Sequence, residues 1–163
     1  MRDRLTKATT VTSALDTAGS QPVVVPETAS IPEVAAAWEA HPEVRVICVV
    51  NNQGRLAGII RVGPICDALF FHLAPEEFLA DILEPDSLLE FRRLSHARRA
   101  ADLMEEAKGV SADDSVIAAF RLMHSSDLEG LPVLDSDGKP IAYLDRLRLV
   151  AVWLRAHSTE GSA

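Results

Sequence analysis

The chain has 163 residues, 48% hydrophobic and 25% charged, which suits one globular domain or two small packed halves. Acidic residues number 24 against 16 basic ones, a net charge of −8, and this argues against a nucleic-acid binder with a broad basic face. There is no apolar run of about 18 residues to span a membrane, and the polar N-terminal stretch lacks the apolar centre of a signal peptide. A cytoplasmic protein without membrane insertion is the expectation.

Residues 1–19 carry little apolar patterning and are expected as a flexible or short helical lead-in, with Val11 to Leu15 its helical part. Val23-Val24-Val25 is a β-branched run and predicts a short strand. Ser30-Ile31-Pro32-Glu33 has the form of a capping box with proline in the first turn. The following helix places Val34, Ala37, Trp38 and His41 on one side. Val44 to Val50 predicts a buried strand, Asn51-Asn52-Gln53-Gly54 a tight turn, and Leu56 to Val62 the return strand. Pro64 then opens a helix to about His72.

Residues 73–97 have helical periodicity rather than linker composition. Pro75-Glu76-Glu77 and Pro85-Asp86-Ser87 open two helices, the second with Leu88, Phe91 and Leu94 pointing inward. Ala101 to Glu105 predicts a short helix and Lys108 to Val110 a short strand. Asp113 and Asp114 offer cap oxygens to a helix whose buried stripe is Val116, Ala119, Phe120 and Met123. Gly130 to Leu134, the turn Asp135-Ser136-Asp137-Gly138 and Ile141 to Leu144 form a second hairpin. A helix through Leu147, Val150, Ala151 and Leu154 follows, and 157–163 is expected as a disordered tail. Cys48 and Cys66 both lie among apolar residues and are expected as buried thiols, not a disulfide framework.

The two halves superimpose. Val25 falls on Val110 and Ser30 on Ser115 at an offset of 85, while Val49 falls on Val133, Gly54 on Gly138 and Ile60 on Leu144 at an offset of 84. Matching elements at a nearly constant offset mark an internal repeat. The segments SVIAAFRLM and LPVLDSDGKPIAYL of the second copy, and SIPEVAAAW and VICVVNNQGRLAGII of the first, resemble a tandem pair of cystathionine-β-synthase (CBS) domains, a Bateman module. On that resemblance residues 20–72 are one CBS unit, 98–156 the other, and 73–97 a helical connection longer than usual between such units.

The resemblance implies an α/β fold of two pseudo-symmetric β-α-β-β-α units packed through their sheets. It also implies an inter-unit cleft suited to AMP, ADP, ATP or S-adenosylmethionine, and a homodimer formed through helices. Such a protein acts on a partner enzyme, channel or transporter rather than as an enzyme, and 163 residues are consumed by the pair itself. In the family a Gly, two apolar residues, Ser or Thr, two further residues and Asp hold ribose and phosphate, the Asp accepting from ribose hydroxyls. Here the first unit reads Gly58-Ile59-Ile60-Arg61-Val62-Gly63-Pro64, with Asp67 three residues beyond. The second reads Ala142-Tyr143-Leu144-Asp145-Arg146-Leu147-Arg148. Arg61 can pair with phosphate, whereas Pro64 has no side-chain hydrogen bond to offer and Arg148 has donors only. Asp67 could stand in for the missing acid if the turn is shifted. The candidate ligand residues are therefore Val25, Arg61 and Asp67 in one unit and Val110, Asp145 and Arg148 in the other, with Val25 and Val110 meeting the base through their backbone.

Two functional readings stay open. One is a stand-alone sensor for an adenosine nucleotide or other anion. The other is a ligand-free interaction module in which Arg61, Asp145 and Arg148 are surface charges, Asp145 pairing with Arg146 or Arg148. The basic run Arg92 to Arg99 is a solvated helix face, a surface for an acidic partner, or a reach to phosphate in the expected cleft. The five histidines have no metal-ligand spacing, and Asp135-Ser136-Asp137-Gly138 lacks the ligand series of a calcium loop. Val150, Trp153 and Leu154 form an apolar stripe available to a partner.

Overall fold

The computed structural model describes residues 5–157, so residues 1–4 of the lead-in and the expected tail beyond His157 lie outside the described residues. In chain order the elements are α1 (Val11–Ala18), β1 (Gly19–Ser20), β2 (Val24–Pro26), α2 (Ile31–Glu39), β3 (Val46–Val50), β4 (Leu56–Arg61), α3 (Val62–Leu73) and α4 (Pro75–Leu79). They continue with α5 (Pro85–His96), α6 (Ala100–Leu103), β5 (Glu105–Glu106), β6 (Val110–Ser111), α7 (Val116–Ser126), β7 (Gly130–Leu134), β8 (Pro140–Asp145) and α8 (Leu149–His157). The expected α/β class is borne out, with two four-stranded sheets.

The residues form two compact units. The first-repeat unit holds Val23–Glu43 and Ile47–Ala107, and the second-repeat unit holds residues up to Pro22, Val44–Val46 and residues from Lys108 on. Each unit contains one sheet, and the two sheets have the same order of parts. In the first-repeat unit β2 runs parallel to β3, with Val25 opposite Val49. In the second-repeat unit β6 runs parallel to β7, with Val110 opposite Val133. The sequence offsets of the repeat thus reappear as strand register.

The fourth strand of each sheet comes from the lead-in of the other repeat. β5, which precedes the second repeat, pairs antiparallel with β4 through Gly58–Glu106 and Ile59–Glu105. β1, which precedes the first repeat, pairs antiparallel with β8 through Gly19–Leu144 and Ser20–Tyr143. The lead-in helices follow the same exchange. Val11 N donates to Asp114 O and Val116 N to Thr9 O, both at 2.8 Å, fixing α1 beside the start of α7. Ala100 N donates to Ala29 O at 2.8 Å and Ile31 N to Arg98 O at 3.2 Å, fixing α6 beside the start of α2. The reason is backbone satisfaction: the orphan N–H groups at a helix start need acceptors, and each lead-in supplies carbonyls to the other repeat's helix.

Local chemistry accounts for the elements. Ser30 and Glu33 make the expected reciprocal capping box, Glu33 N donating to Ser30 Oγ at 3.2 Å and Ser30 N to Glu33 Oε2 at 2.9 Å. The two hairpin turns are built alike. Asn51 Oδ1 accepts from Gln53 N and Arg55 N, and Asp135 Oδ1 accepts from Asp137 N and Lys139 N. Gly54 at φ 77° and Gly138 at φ 79° take the left-handed position that each turn requires.

Several local expectations are corrected. The cap of α7 is Ser115, whose Oγ accepts from Ala118 N at 3.0 Å, and not Asp113 or Asp114; the Asp114 carboxylate instead accepts from Ser111 N. The predicted helix from Ala101 to Glu105 ends at Leu103, because Glu105 and Glu106 leave it to form β5. Val116, Ala119 and Met123 are buried as expected, but Phe120 is 40% exposed and carries the Arg146 guanidinium 5.5 Å from its ring centroid. In α5, Phe91 and Leu94 are buried while Leu88 is exposed. Cys48 is buried, and desolvation pushes its thiol up to about 12; Cys66, expected to be buried, is exposed on α3, where it lines the groove facing α2.

Candidate functional site

The six expected ligand residues fall into two trios, one per unit. In the first-repeat unit Val25 is buried in the middle of β2, Arg61 ends β4, and Asp67 is exposed on α3. α3 begins directly after Arg61 and runs through Pro64 without a break, so Asp67 lies within the helix. Pro64 is tolerated there because first-turn N–H groups lack intrahelical partners in any case. In the second-repeat unit Val110 is buried in β6, Asp145 ends β8, and Arg148 is exposed in the turn that leads to α8.

The strand-to-helix junctions of the two units differ in chemistry. At the first, Arg61 Nε donates to Glu105 Oε2 at 2.9 Å, tying the end of β4 to β5. Both side chains are partly exposed, so the pair contributes about 1 kcal/mol at most. It nevertheless sets a guanidinium and a carboxylate side by side. At the second, Asp145 Oδ1 accepts from Arg148 N at 3.0 Å, so the carboxylate closes the turn as a cap. The anticipated pairing of Asp145 with an arginine side chain is replaced by this bond to backbone. Arg146 turns away, donating from its guanidinium to Leu128 O at 3.5 Å and lying over Phe120.

Glu105 is the residue that sequence reasoning missed. It sits in the lead-in of the second repeat, 44 residues from Arg61 in the chain, and only the exchange of lead-in strands brings the two together. Among the described residues no three His, Cys, Asp or Glu side chains group to hold a metal ion.

Two repeats with one strand order, each ending its hairpin at a charged junction before a helix, agree with a direct sequence comparison: the CBS domain family matches residues 14–63 and 100–154, more than half of the chain. The chain belongs to the CBS domain family. Similar CBS structures share its fold. A CBS domain-containing protein from Thermotoga maritima is 21% identical, with a TM-score of 0.69, covering 90% of this chain and 95% of that one. CBSX2 from Arabidopsis thaliana is 20% identical, with a TM-score of 0.64, covering 93% of this chain and 99% of that one. A CBS domain pair in complex with 5′-methylthioadenosine and S-adenosyl-L-methionine is 18% identical, with a TM-score of 0.64, covering 90% and 96%. CBSX2 is also known in complex with AMP, and the cytosolic domain of the Mg2+ channel MgtE in complex with ATP. No curated protein matches the chain.

Each CBS unit also presents apolar helix surface. In the first-repeat unit a groove of about 620 Å³ between α2 and α3 is lined by Trp38, Ile65, Leu69 and Phe70, with Phe70 55% exposed. In the second-repeat unit Ile117 and Phe120 on α7 and Val150, Trp153 and Leu154 on α8 are exposed. Among the described residues no helix is long and apolar enough to cross a membrane.

Proposed function

We propose that this CBS pair is a cytoplasmic, non-enzymatic regulatory module that binds an adenosine compound and passes its presence to a partner protein. The observation that carries the reading is the family match on both repeats, joined to the adenosine compounds held by three similar structures. On this reading the base lies against the backbone at Val25 or Val110, and phosphate meets Arg61 or Arg148. Asp67 and Glu105 are the carboxylates of the first-repeat unit that could accept from ribose, and Asp145 that of the second. A ligand acts by favouring one of two arrangements of the protein, and the shift it causes is limited to its difference in affinity for them. The exposed apolar helix faces support a homodimer through helices, with an enzyme, channel or transporter as the regulated partner.

A second reading has an observation of its own. Arg61 is occupied by Glu105 at 2.9 Å and Asp145 by the Arg148 N–H at 3.0 Å, so both junctions are closed by local bonds, as in a ligand-free interaction module. Calorimetric titration of the full chain with AMP, ATP and S-adenosylmethionine separates the two. Saturable heat that is lost in Arg61→Gln or Arg148→Gln supports the sensor. No heat at millimolar ligand overturns it in favour of the interaction module.

A further inference from the structure

The first-repeat unit contains a cavity of about 660 Å³ between α3, α4 and α5. All its lining residues lie between Phe71 and Arg98, outside both segments that match the CBS family. Its apolar side is aromatic and aliphatic. Phe71 packs against Phe78 at 5.0 Å and against Phe91 at 4.9 Å between ring centroids, and Leu79 and Leu88 extend that surface. Its polar side is cationic or neutral: Arg92, Arg98, His72 and His96 line it together with Ser95, and no Asp or Glu does. That composition stands out in a chain of net charge −8.

The two guanidinium groups are available. Arg98 donates from one terminal nitrogen to Ser95 O at 3.2 Å and Ala97 O at 3.1 Å, which offsets the negative carbonyl end of α5. Its other donors make no bond among the described residues, and the Arg92 side chain makes none either. A second cavity of about 240 Å³ adjoins the first, sharing His72 and Arg98 as walls. The larger space lies within the range of small-molecule sites, about 300–1,000 Å³, which are mainly apolar with a few placed polar groups. Guanidinium groups beside such a surface match a carboxylate, which they hold through paired N–H donors.

We propose that this cavity binds a small organic carboxylate with an apolar alkyl or aryl body, the carboxylate meeting Arg92 and Arg98 and the body lying on Phe71, Phe91 and Leu88. The site is independent of the adenosine reading, since it shares no residue with that one.

The test is titration calorimetry of the full chain with decanoate, below its micelle concentration, with decanol as the uncharged body and acetate as the bare charge. Decanoate should bind saturably at one site per chain, about tenfold or more tighter than decanol, and acetate should give no heat. Arg92→Gln should weaken decanoate about tenfold and leave decanol unchanged. Leu88→Trp, a change at an exposed position that fills the cavity, should abolish decanoate binding while the melting temperature holds. Equal binding of decanoate and decanol overturns the proposal, as does decanoate binding that survives both variants, or no saturable heat.

Discussion

Gly130 offers the most direct test of the packing. A Cβ on Gly130 would lie 2.1 Å from Tyr143 Oη, 2.3 Å from Cζ and 2.4 Å from Cε2. Carbon atoms pack at about 3.5–4.0 Å, so Gly130→Ala drives a methyl more than about 1 Å into the ring. The ring has nowhere to go: Tyr143 is 1% exposed, sits on β8 in register with β7, and its Oη accepts from Arg45 N at 3.1 Å. Burial also pushes its phenol well above the ordinary value, so it stays a neutral hydroxyl. Gly130→Ala should cost about 3 kcal/mol, the upper end of the overpacking range. Urea unfolding with linear extrapolation measures it, and the melting midpoint should fall by about 6–12 °C. The other repeat suggests the control, because Val46 and Ile59 occupy the corresponding places in sequence. In a Tyr143→Ile background the ring is gone, so adding Gly130→Ala should cost close to nothing, a coupling of about 3 kcal/mol. A Gly130→Ala variant within about 0.5 kcal/mol of the parent, or the same penalty in both backgrounds, would refute the reasoning.

Three further outcomes are expected. One thiol per native chain, Cys66, should react quickly with a disulfide reagent, and Cys48 only on unfolding, since burial holds it as a thiol up to about pH 12; two fast thiols, or none, would contradict the placement. Ser115→Ala should cost about 1 kcal/mol while Asp113→Ala stays within about 0.5 kcal/mol, because Ser115 caps α7; equal losses in unfolding experiments would reject that cap. The Asp102 carboxylate accepts from Arg98 N and Arg99 N, which holds it below the usual carboxylate range. Its contribution is therefore complete above the unfolded value near about pH 4 and is lost as pH falls through the lower folded one, so acid melts of Asp102→Asn should show a shallower decline than the parent. Identical acid slopes would show that those bonds add nothing.

Most of the fold was legible because its signals are local. The cap at Ser30, the two turns ending at Gly54 and Gly138, and the alternation from apolar strand to helix each rest on neighbours in sequence. The repeat then turned these local readings into an architecture. What sequence concealed depends on partners far along the chain. The exchange of β1 and β5 between repeats leaves no periodicity, since each is two residues long and held by register with a distant strand. Glu105 reads as a helix end until β4 is known to lie beside it. Cys66 has apolar neighbours in sequence, but only Ile65 and Ala68 of that stretch face inward on α3. The expected site was legible only as positions: Arg61, Asp145 and Arg148 follow from the resemblance to the family's ribose and phosphate motif, and their bonds depend on partners that the motif does not name.

The two junctions carry a consequence for stoichiometry. Positions that pack agree between the repeats, since Val25 and Val110 are both buried and both oppose a valine of the first hairpin strand. Positions at the strand-to-helix junction have opposite charge, Arg61 in one and Asp145 in the other. Shared packing demands the former, whereas each junction charge answers to its own partner, Arg61 to Glu105 on β5 and Asp145 to the Arg148 N–H. An anion approaching Arg61 competes with Glu105 for a guanidinium at 2.9 Å, an exposed pair that opens for about 1 kcal/mol. An anion approaching Arg148 meets the Asp145 carboxylate that holds Arg148 N at 3.0 Å, and repulsion opposes it. A phosphate-bearing ligand should therefore prefer the first-repeat unit, with one tight site per chain that is lost in Arg61→Gln and strengthened in Glu105→Gln. Two equal sites per chain, or tight binding indifferent to both variants, would show that the junction charges do not select the ligand.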